Sequence, residues 1–309
     1  MSSSKAHSET LSSLQEIVES TLNKKIIHWE KPLCGLSSAI RYSLQLEDKS
    51  KVFVKAATDN QTKEWLITEH LVLSTYDEDF MPAIVSWIEE PEKYPILITE
   101  DFSDAYWAAK QDGAFWRNGD MEVLIETVQK LSTIKGRQPI LKLKDNRTKI
   151  WTKIAENPEK FLKQNFCSEN WFKSSIDHLI EAENNINDIG EVLVHGDIRS
   201  DNVCIKENKA IFVDWSNAGI GNANYDLANL LPTLHLEGGP EPYQIMPDAA
   251  SWAAHLAAVN LQRLSRNNSM PFWLSIVFKK LIAIELEWAS QCLNLDKPDG
   301  IQWNQINNF

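Results

Sequence analysis

Apolar and polar residues change period along this chain, and the changes divide it. From Ser8 to Leu22, the residues Leu11, Leu14, Ile17 and Leu22 fall near helical spacing, which predicts an amphipathic helix. Alternation follows. Ile40, Tyr42, Leu44 and Leu46 recur every second position, Glu47 to Ser50 interrupt as a polar turn, and Lys51 to Ala56 (KVFVKA) resume the run. This is the pattern of a β-hairpin. Helical spacing returns from about Thr62 to Tyr76, and Ala83 to Trp87 and Tyr94 to Thr99 read as two more strands. After Asp101 the helical period dominates. Met121 to Thr133 carries Val123, Ile125, Val128 and Leu131 on or near one face. Residues 135–190 are polar and mostly helical, with breaks near Gly136 to Pro139 and at Asn157-Pro158. From Tyr225 onward the pattern is helical again, punctuated by Pro232, by Gly238-Gly239-Pro240 and by Pro271. The pattern predicts an α+β fold in two lobes. Residues 1–101 form a small antiparallel β-sheet lobe with one packed helix, and residues 102–309 a larger, mostly helical lobe, with a hinge at about 99–103.

Composition narrows the function classes. A chain of 309 residues can bury a full core in one or two lobes. With 31 Lys and Arg against 43 Asp and Glu, the net charge of −12 makes it a poor partner for nucleic acid and suits a cationic substrate. Cys34, Cys167, Cys204 and Cys292 are scattered, with no spacing for zinc or a redox pair, as in a reducing compartment. The polar start MSSSKAHSET lacks the apolar segment of a secretory signal, and no run approaches the length of a membrane span. The expectation is a cytoplasmic protein without a membrane or nucleic-acid partner; the oligomeric state is not legible.

Residues 192–215, VLVHGDIRSDNVCIKENKAIFVDW, carry the chemistry. Two short β-type runs flank a loop with His195, Gly196, Asp197 and Asn202, and the second run ends at Asp214. Phosphoryl transfer needs such a set. Asp197, at a strand end, would orient an attacking hydroxyl and accept its proton. Asn202 and Asp214 offer the hard oxygen ligands that magnesium prefers. Taken singly, each is as well explained as a turn or strand-end residue; the shared spacing argues for the set.

This constellation resembles the aminoglycoside phosphotransferase and choline kinase-like family, which has a protein-kinase-like fold. That family writes its catalytic loop His-Gly-Asp-x-x-x-x-Asn and follows it with an Asp-Trp segment, matched here by Asp214-Trp215. Residues 221–228, GNANYDLA, are similar to its G-x-x-x-x-D-L-A stretch. The resemblance implies that His195 shapes the loop rather than acting as a base and that Asp226 braces it. A helix N-cap is the other reading of Asp226. Arg199 sits where protein kinases place a phosphate-facing lysine; it either contacts the transferred phosphate or faces solvent.

The resemblance also implies partners upstream. Lys55, at the end of an alternating strand, would hold the nucleotide phosphates, and a helix glutamate would hold Lys55. Glu64 and Glu69 are the candidates. At about 100° per residue, Trp65, Val72 and Tyr76 share a narrow arc with Leu66 and Leu73 on its flank, and Glu69 falls within that apolar face, whereas Glu64 falls well outside it. A carboxylate on an apolar face needs a partner, so Glu69 is expected to pair with Lys55. Gly35, Ser37 and Ser38 precede the first hairpin strand, where the family's nucleotide loop would sit, though no glycine-rich motif marks them. Thr99, Glu100 and Asp101 would form the hinge that meets the purine edge. No GxxxxGK[ST] segment is present, which argues against a P-loop kinase.

The tryptophans Trp107, Trp116, Trp252, Trp273, Trp288 and Trp303 could wall a substrate pocket, but a Trp at helical spacing is more often core than pocket. Glu237, Glu241, Asp248 and Glu285 could read substrate amino groups, or simply form a solvated face. The expectation is a small-molecule kinase that uses Mg2+ and ATP or GTP to phosphorylate a hydroxyl. The acceptor is left open among an amino sugar, choline, an amino-acid alcohol, a macrolide and another metabolite, and the acidic balance of the chain suits a cationic one. A catalytically silent nucleotide-binding scaffold is the first rival. A protein kinase ranks last, because the loop reads His-Gly-Asp and no Ala-Pro-Glu segment is evident.

Overall fold

The computed structural model describes residues 13–32, 38–144, 148–187, 189–266 and 270–306. The chain separates into two compact units, one of residues 1–113 with 200–218 and the other of residues 114–199 with 219–309.

The first unit is built on a five-stranded antiparallel sheet in the order β1-β2-β3-β5-β4. Its strands are β1 (Ile26–Glu30), β2 (Ile40–Leu46), β3 (Lys51–Ala56), β4 (Ile84–Ile88) and β5 (Ile96–Glu100). Alternation along β3 buries Val52, Val54 and Ala56 on one face with Leu44, Leu46, Ile96 and Ile98. Leu14 and Val18 of helix α1 (residues 13–22) complete that cluster. Two helices therefore pack on the sheet. The second, α2 (Asn60–Thr75), lies on the face that presents Lys55. It starts two residues earlier than its periodicity suggests, because Asp59 caps it. The Asp59 carboxylate accepts the Thr62 N–H at 2.8 Å while the Thr62 hydroxyl accepts the Asp59 N–H at 3.1 Å.

The unit's remaining piece returns late in the chain. Strands β6 (Tyr106–Trp107), β10 (Val203–Lys206) and β11 (Lys209–Phe212) form a second sheet in the order β11-β10-β6. Phe102, Cys204 and Ile211 are buried together beneath it. Two-residue strands β7 (Ala109–Lys110) and β8 (Gly113–Ala114) follow β6.

The second unit is mostly helical, with α3 (Asp120–Leu131), α4 (Ile150–Glu156), α5 (Glu159–Leu162), α6 (Glu169–Asn184), α7 (Tyr225–Leu236), α8 (Pro242–Ile245), α9 (Ala250–Arg266) and α10 (Phe272–Cys292). Strand β9 (Val192–Val194) pairs with β12 (Gly219–Gly221). Ala253, Ala254, Ala257 and Ala258 give α9 a small-residue surface, which lets it pack closely with α6 and α10. The buried Glu183 of α6 caps α4, accepting the N–H groups of Ile150 at 2.9 Å and Trp151 at 3.0 Å. Pro232, expected as punctuation, lies inside α7. Among the described residues no helix is long and apolar enough to cross a membrane.

Candidate phosphoryl-transfer site

In the first unit, β3 presents Lys55, its last residue but one, on the face covered by α2. The Lys55 ammonium donates to both carboxylate oxygens of Glu69 at 2.8 Å and to Asp214 at 3.2 Å. Glu69 is buried, as its place within the apolar arc of α2 requires, with Leu66, Val72 and Leu73 as its neighbours on that face. Trp65, expected in the same arc, is instead partly exposed, so the buried stripe runs slightly to one side of the predicted one. Burial by itself would depress the Lys55 pKa, but the charges of Glu69 and Asp214 outweigh it and hold the ammonium above the ordinary lysine value. Burial pushes the Glu69 carboxyl upward, against the pull of Lys55.

The β10–β11 hairpin sets Asn202 beside Asp214. The Val213 N–H donates to the Asn202 carbonyl at 2.9 Å, one step beyond the Val203–Phe212 pair, and Asp214 follows at once. The Asp214 backbone is left-handed, φ 65° and ψ 62°, an uncommon conformation for a residue other than glycine. Behind it the indole of Trp215, fully buried, donates to the Phe212 carbonyl at 2.9 Å, and the Trp215 backbone hydrogen-bonds Glu69. The Asp-Trp pair is visible in the sequence, but this anchoring role of Trp215 is not. Among the described residues no cluster of three or more His, Cys, Asp or Glu stands ready for a metal. One carboxylate and one amide oxygen nevertheless fit magnesium, which fills its remaining positions with phosphate oxygens and water.

Thr99, Glu100 and Asp101, expected from the sequence to form a hinge, also belong to this unit. Thr99 is buried in β5, Glu100 pairs with Lys206 of β10 at 3.0 Å, and the Asp101 carboxylate accepts the Ser103 N–H at 2.8 Å. Ser38 donates its hydroxyl to Asp59 at 2.7 Å, which ties it to the start of α2. Gly35 and Ser37 lie outside the described residues.

In the second unit, β9 delivers the loop His195-Gly196-Asp197. Asp226, in the first turn of α7, accepts the His195 N–H at 2.7 Å and the Gly196 N–H at 2.9 Å. The N-cap of α7 is Asn224. Burial raises the Asp226 pKa to about 6, against the two N–H donors and with the Asp197 charge adding to the rise. Gly196 has φ 83°, which suits glycine. His195 is fully buried, and its Nδ1 accepts the Asp197 N–H at 3.2 Å. That bond makes Nε2 the protonated nitrogen of the neutral ring and leaves His195 turned inward. Arg199 pairs with the Asp197 carboxylate at 3.1 Å. The loop that starts at His195 thus begins in one unit and ends, at Asn202, in the other.

Of the remaining candidates, Trp252 and Trp288 are core residues and Trp273 is 61% exposed. Trp116 donates to Glu237 at 2.8 Å. Glu285 departs from the solvated-face expectation. It is buried, with Asn260 donating to one oxygen at 2.7 Å and the other oxygen unpartnered among the described residues.

Residues 144–263, which contain this loop and Asp226, match the model of a family described as "Phosphotransferase enzyme family" (APH). No curated protein matches the chain. Solved structures share its fold. An aminoglycoside phosphotransferase from Alicyclobacillus acidocaldarius is 10% identical with a TM-score of 0.52, over 86% of this chain and 96% of that one. The GDP complex of wild-type aminoglycoside 2′-phosphotransferase-IIIa is 14% identical with a TM-score of 0.51, over 87% and 94%. The macrolide 2′-phosphotransferase from Brachybacterium faecium is 11% identical with a TM-score of 0.50, over 84% and 95%. The chain thus has the protein-kinase-like fold of these enzymes.

Proposed function

We propose that this chain, whose residues 144–263 match a phosphotransferase family model, transfers the terminal phosphoryl group of ATP or GTP to a hydroxyl of a small molecule. The observation that carries the reading is the charge cluster of Lys55, Glu69 and Asp214 at 2.8 and 3.2 Å, on a chain that also carries His-Gly-Asp-x-x-x-x-Asn. Glu69 fixes the Lys55 ammonium so that it meets the nucleotide phosphates. Asp214 and Asn202 would hold Mg2+, which neutralises charge on those phosphates. Asp197 orients the acceptor hydroxyl and takes its proton as the phosphorus–oxygen bond forms. Arg199, now on Asp197, can turn to a phosphate when the acceptor displaces it. Thr99 to Asp101 would receive the purine, and Ser38, with Gly35 and Ser37, would border the phosphates. One structural neighbour is described as a GDP complex, so guanine nucleotides stand beside ATP as candidates.

The test is a substrate screen with MgATP and MgGTP, run beside Asp197→Asn. Wild type should be stabilised by magnesium nucleotide and should phosphorylate at least one alcohol. The variant should keep nucleotide binding and lose about 10²–10⁴ in rate. A silent scaffold would show nucleotide binding with no transfer at all. A wild type that neither binds nor turns over nucleotide would sink the reading.

A further inference from the structure

Helices α9 and α10 are joined by residues 267–271 and pack along one another, which makes them an antiparallel hairpin. The hydrogen bond from Asn260 to Glu285 at 2.7 Å sets their register. Six residues onward from Asn260 stands Arg266, and six residues back from Glu285 stands Lys279, so the two cations share one level near the hairpin's end.

That end is apolar and uncovered. Phe272 is 62% exposed and Trp273 61%. Leu274, Ile276, Val277 and Phe278 are each partly exposed as well. At about 100° per residue, these six span about 240° of the helix circumference. A helix that packs on one neighbour needs an apolar stripe only about 100° wide. Apolar residues on so many sides suit a core or a lipid phase, yet here the first two turns of α10 reach solvent. A soluble monomer rarely leaves so continuous a patch without a use for it.

Charge also sets this end apart. Residues 249–284 hold no Asp or Glu, although acids make up 43 of the 309 residues, and they carry Arg263, Arg266, Lys279 and Lys280. Arg263 donates to Asn260 Oδ1 at 3.3 Å and Lys280 is buried. Arg266 and Lys279 make no ion pair among the described residues. Phe272 lies about 10 Å beyond Lys279 along the helix, at 1.5 Å per residue. The hairpin thus ends in an aromatic tip with a ring of positive charge set back from it.

Three occupants compete for such a surface. A groove on another protein would cover one stripe and leave the opposite side wet. A second copy packed tip to tip would set Arg266 and Lys279 against their own counterparts. An anionic lipid surface does neither, because acyl chains reach every side of the tip while lipid phosphates meet the cations. Interfacial helices bury their apolar residues about 5–10 Å into the headgroup boundary, with Lys and Arg at the surface, and tryptophan favours that boundary.

We propose that the end of the α9–α10 hairpin docks on an anionic membrane surface, with Phe272 and Trp273 among the acyl chains and Arg266 and Lys279 on the lipid phosphates. Such docking needs no spanning run, so the lack of one in the sequence does not bear on it; the expectation of a chain without a membrane partner is revised at this surface.

The experiment sediments full-length protein with phosphatidylcholine vesicles, with and without phosphatidylserine, at two salt concentrations, beside analytical ultracentrifugation of the protein alone. Wild type should bind the vesicles that contain phosphatidylserine, more weakly as salt rises, and should leave the others unbound. Phe272→Ala and Trp273→Ala should each weaken binding about tenfold, the effect of one buried aromatic side chain. Arg266→Ala and Lys279→Ala should each weaken it about fivefold, as for one basic residue at such a surface. Brominated lipid should quench wild-type fluorescence more than that of Trp273→Phe. All four positions are at least partly exposed, and unchanged melting of the variants shows that they fold. No binding to either vesicle, equal binding to both, or binding that none of the four variants alters overturns the proposal. So does self-association abolished by Trp273→Ala in the absence of vesicle binding, which assigns the tip to a second copy.

Discussion

At the scale of single residues, the least conventional arrangement is one lysine shared by two carboxylates. Lys55 and Glu69 have side chains only 12% and 4% exposed, so neither can turn to water if its partner is removed. Breaking such a pair leaves a buried charge, at a cost of about 3–5 kcal/mol. Lys55→Met should therefore lower the melting temperature as well as activity, and loss of activity in that variant says little about mechanism. Glu69→Gln is more informative. It keeps the shape and removes the charge, so the ammonium relaxes toward Asp214. Phosphoryl transfer should fall by about 10²-fold, as expected for a misplaced contact, with a smaller change in melting temperature; steady-state kinetics beside thermal denaturation would check this. An unchanged rate would mean that Glu69 does not position Lys55 for chemistry. The Lys55–Glu69 pair itself was legible, because the resemblance called for a strand lysine held by a helix glutamate and the apolar face of the helix singled out Glu69. The second partner was not, since 159 residues separate Lys55 from Asp214 and no local pattern reports such a contact.

Among elements, the join between α7 and the β9 loop decides how Asp197 is held. Asp226 accepts two backbone N–H groups with its two oxygens, and one of those groups belongs to Gly196, next to Asp197. An amide can accept only one of them and must point its own N–H₂ at the other. Asp226→Asn should leave a buried donor unpaired, costing about 1–3 kcal/mol, and should lower kcat while leaving the KM for nucleotide near its wild-type value. Equal losses in both parameters would speak for general unfolding instead. The sequence could not choose between brace and cap for Asp226, because an Asp near the start of a helix serves either purpose. The hairpin β2–β3 and the helix α3 were legible from period alone. Strand β1 was not, because it is an edge strand with no alternation of burial and a register shift between Ile26 and His28, and the two-residue strand β6 was not, because it exists only where β10 arrives from far along the chain to pair with it.

For the whole molecule, the same distance explains why a single boundary near Asp101 describes the chain only coarsely. Residues 200–218 join the first unit through Glu100–Lys206, the Phe102 cluster and the β6–β10 pairs, all contacts between distant segments. The stability of the whole should also carry a pH signature from groups buried against their ionisation. Burial raises Glu285 from 4.5 to about 8, with the Asn260 amide and the Arg263 charge opposing the rise. A carboxyl that holds its proton more tightly in the folded state stabilises that state while protonated, and the benefit is lost as pH rises from the unfolded value through the folded one. Glu285 should thus reduce stability progressively between about pH 4.5 and pH 8. Asp226, raised to about 6, acts in the same sense over the lower part of that window. His70, whose pKa burial lowers, acts in the opposite sense. A comparison of wild type with Glu285→Gln cancels the contributions of Asp226 and His70. The amide keeps the oxygen that accepts from Asn260 and cannot ionise. Near pH 5 the two proteins should melt together. By about pH 8.5 the variant should melt higher, by roughly 2–4 °C for each kcal/mol recovered. A melting difference that stays constant across this range would show that Glu285 ionises normally in the folded protein, and that its unpartnered oxygen reaches solvent or a cation in solution.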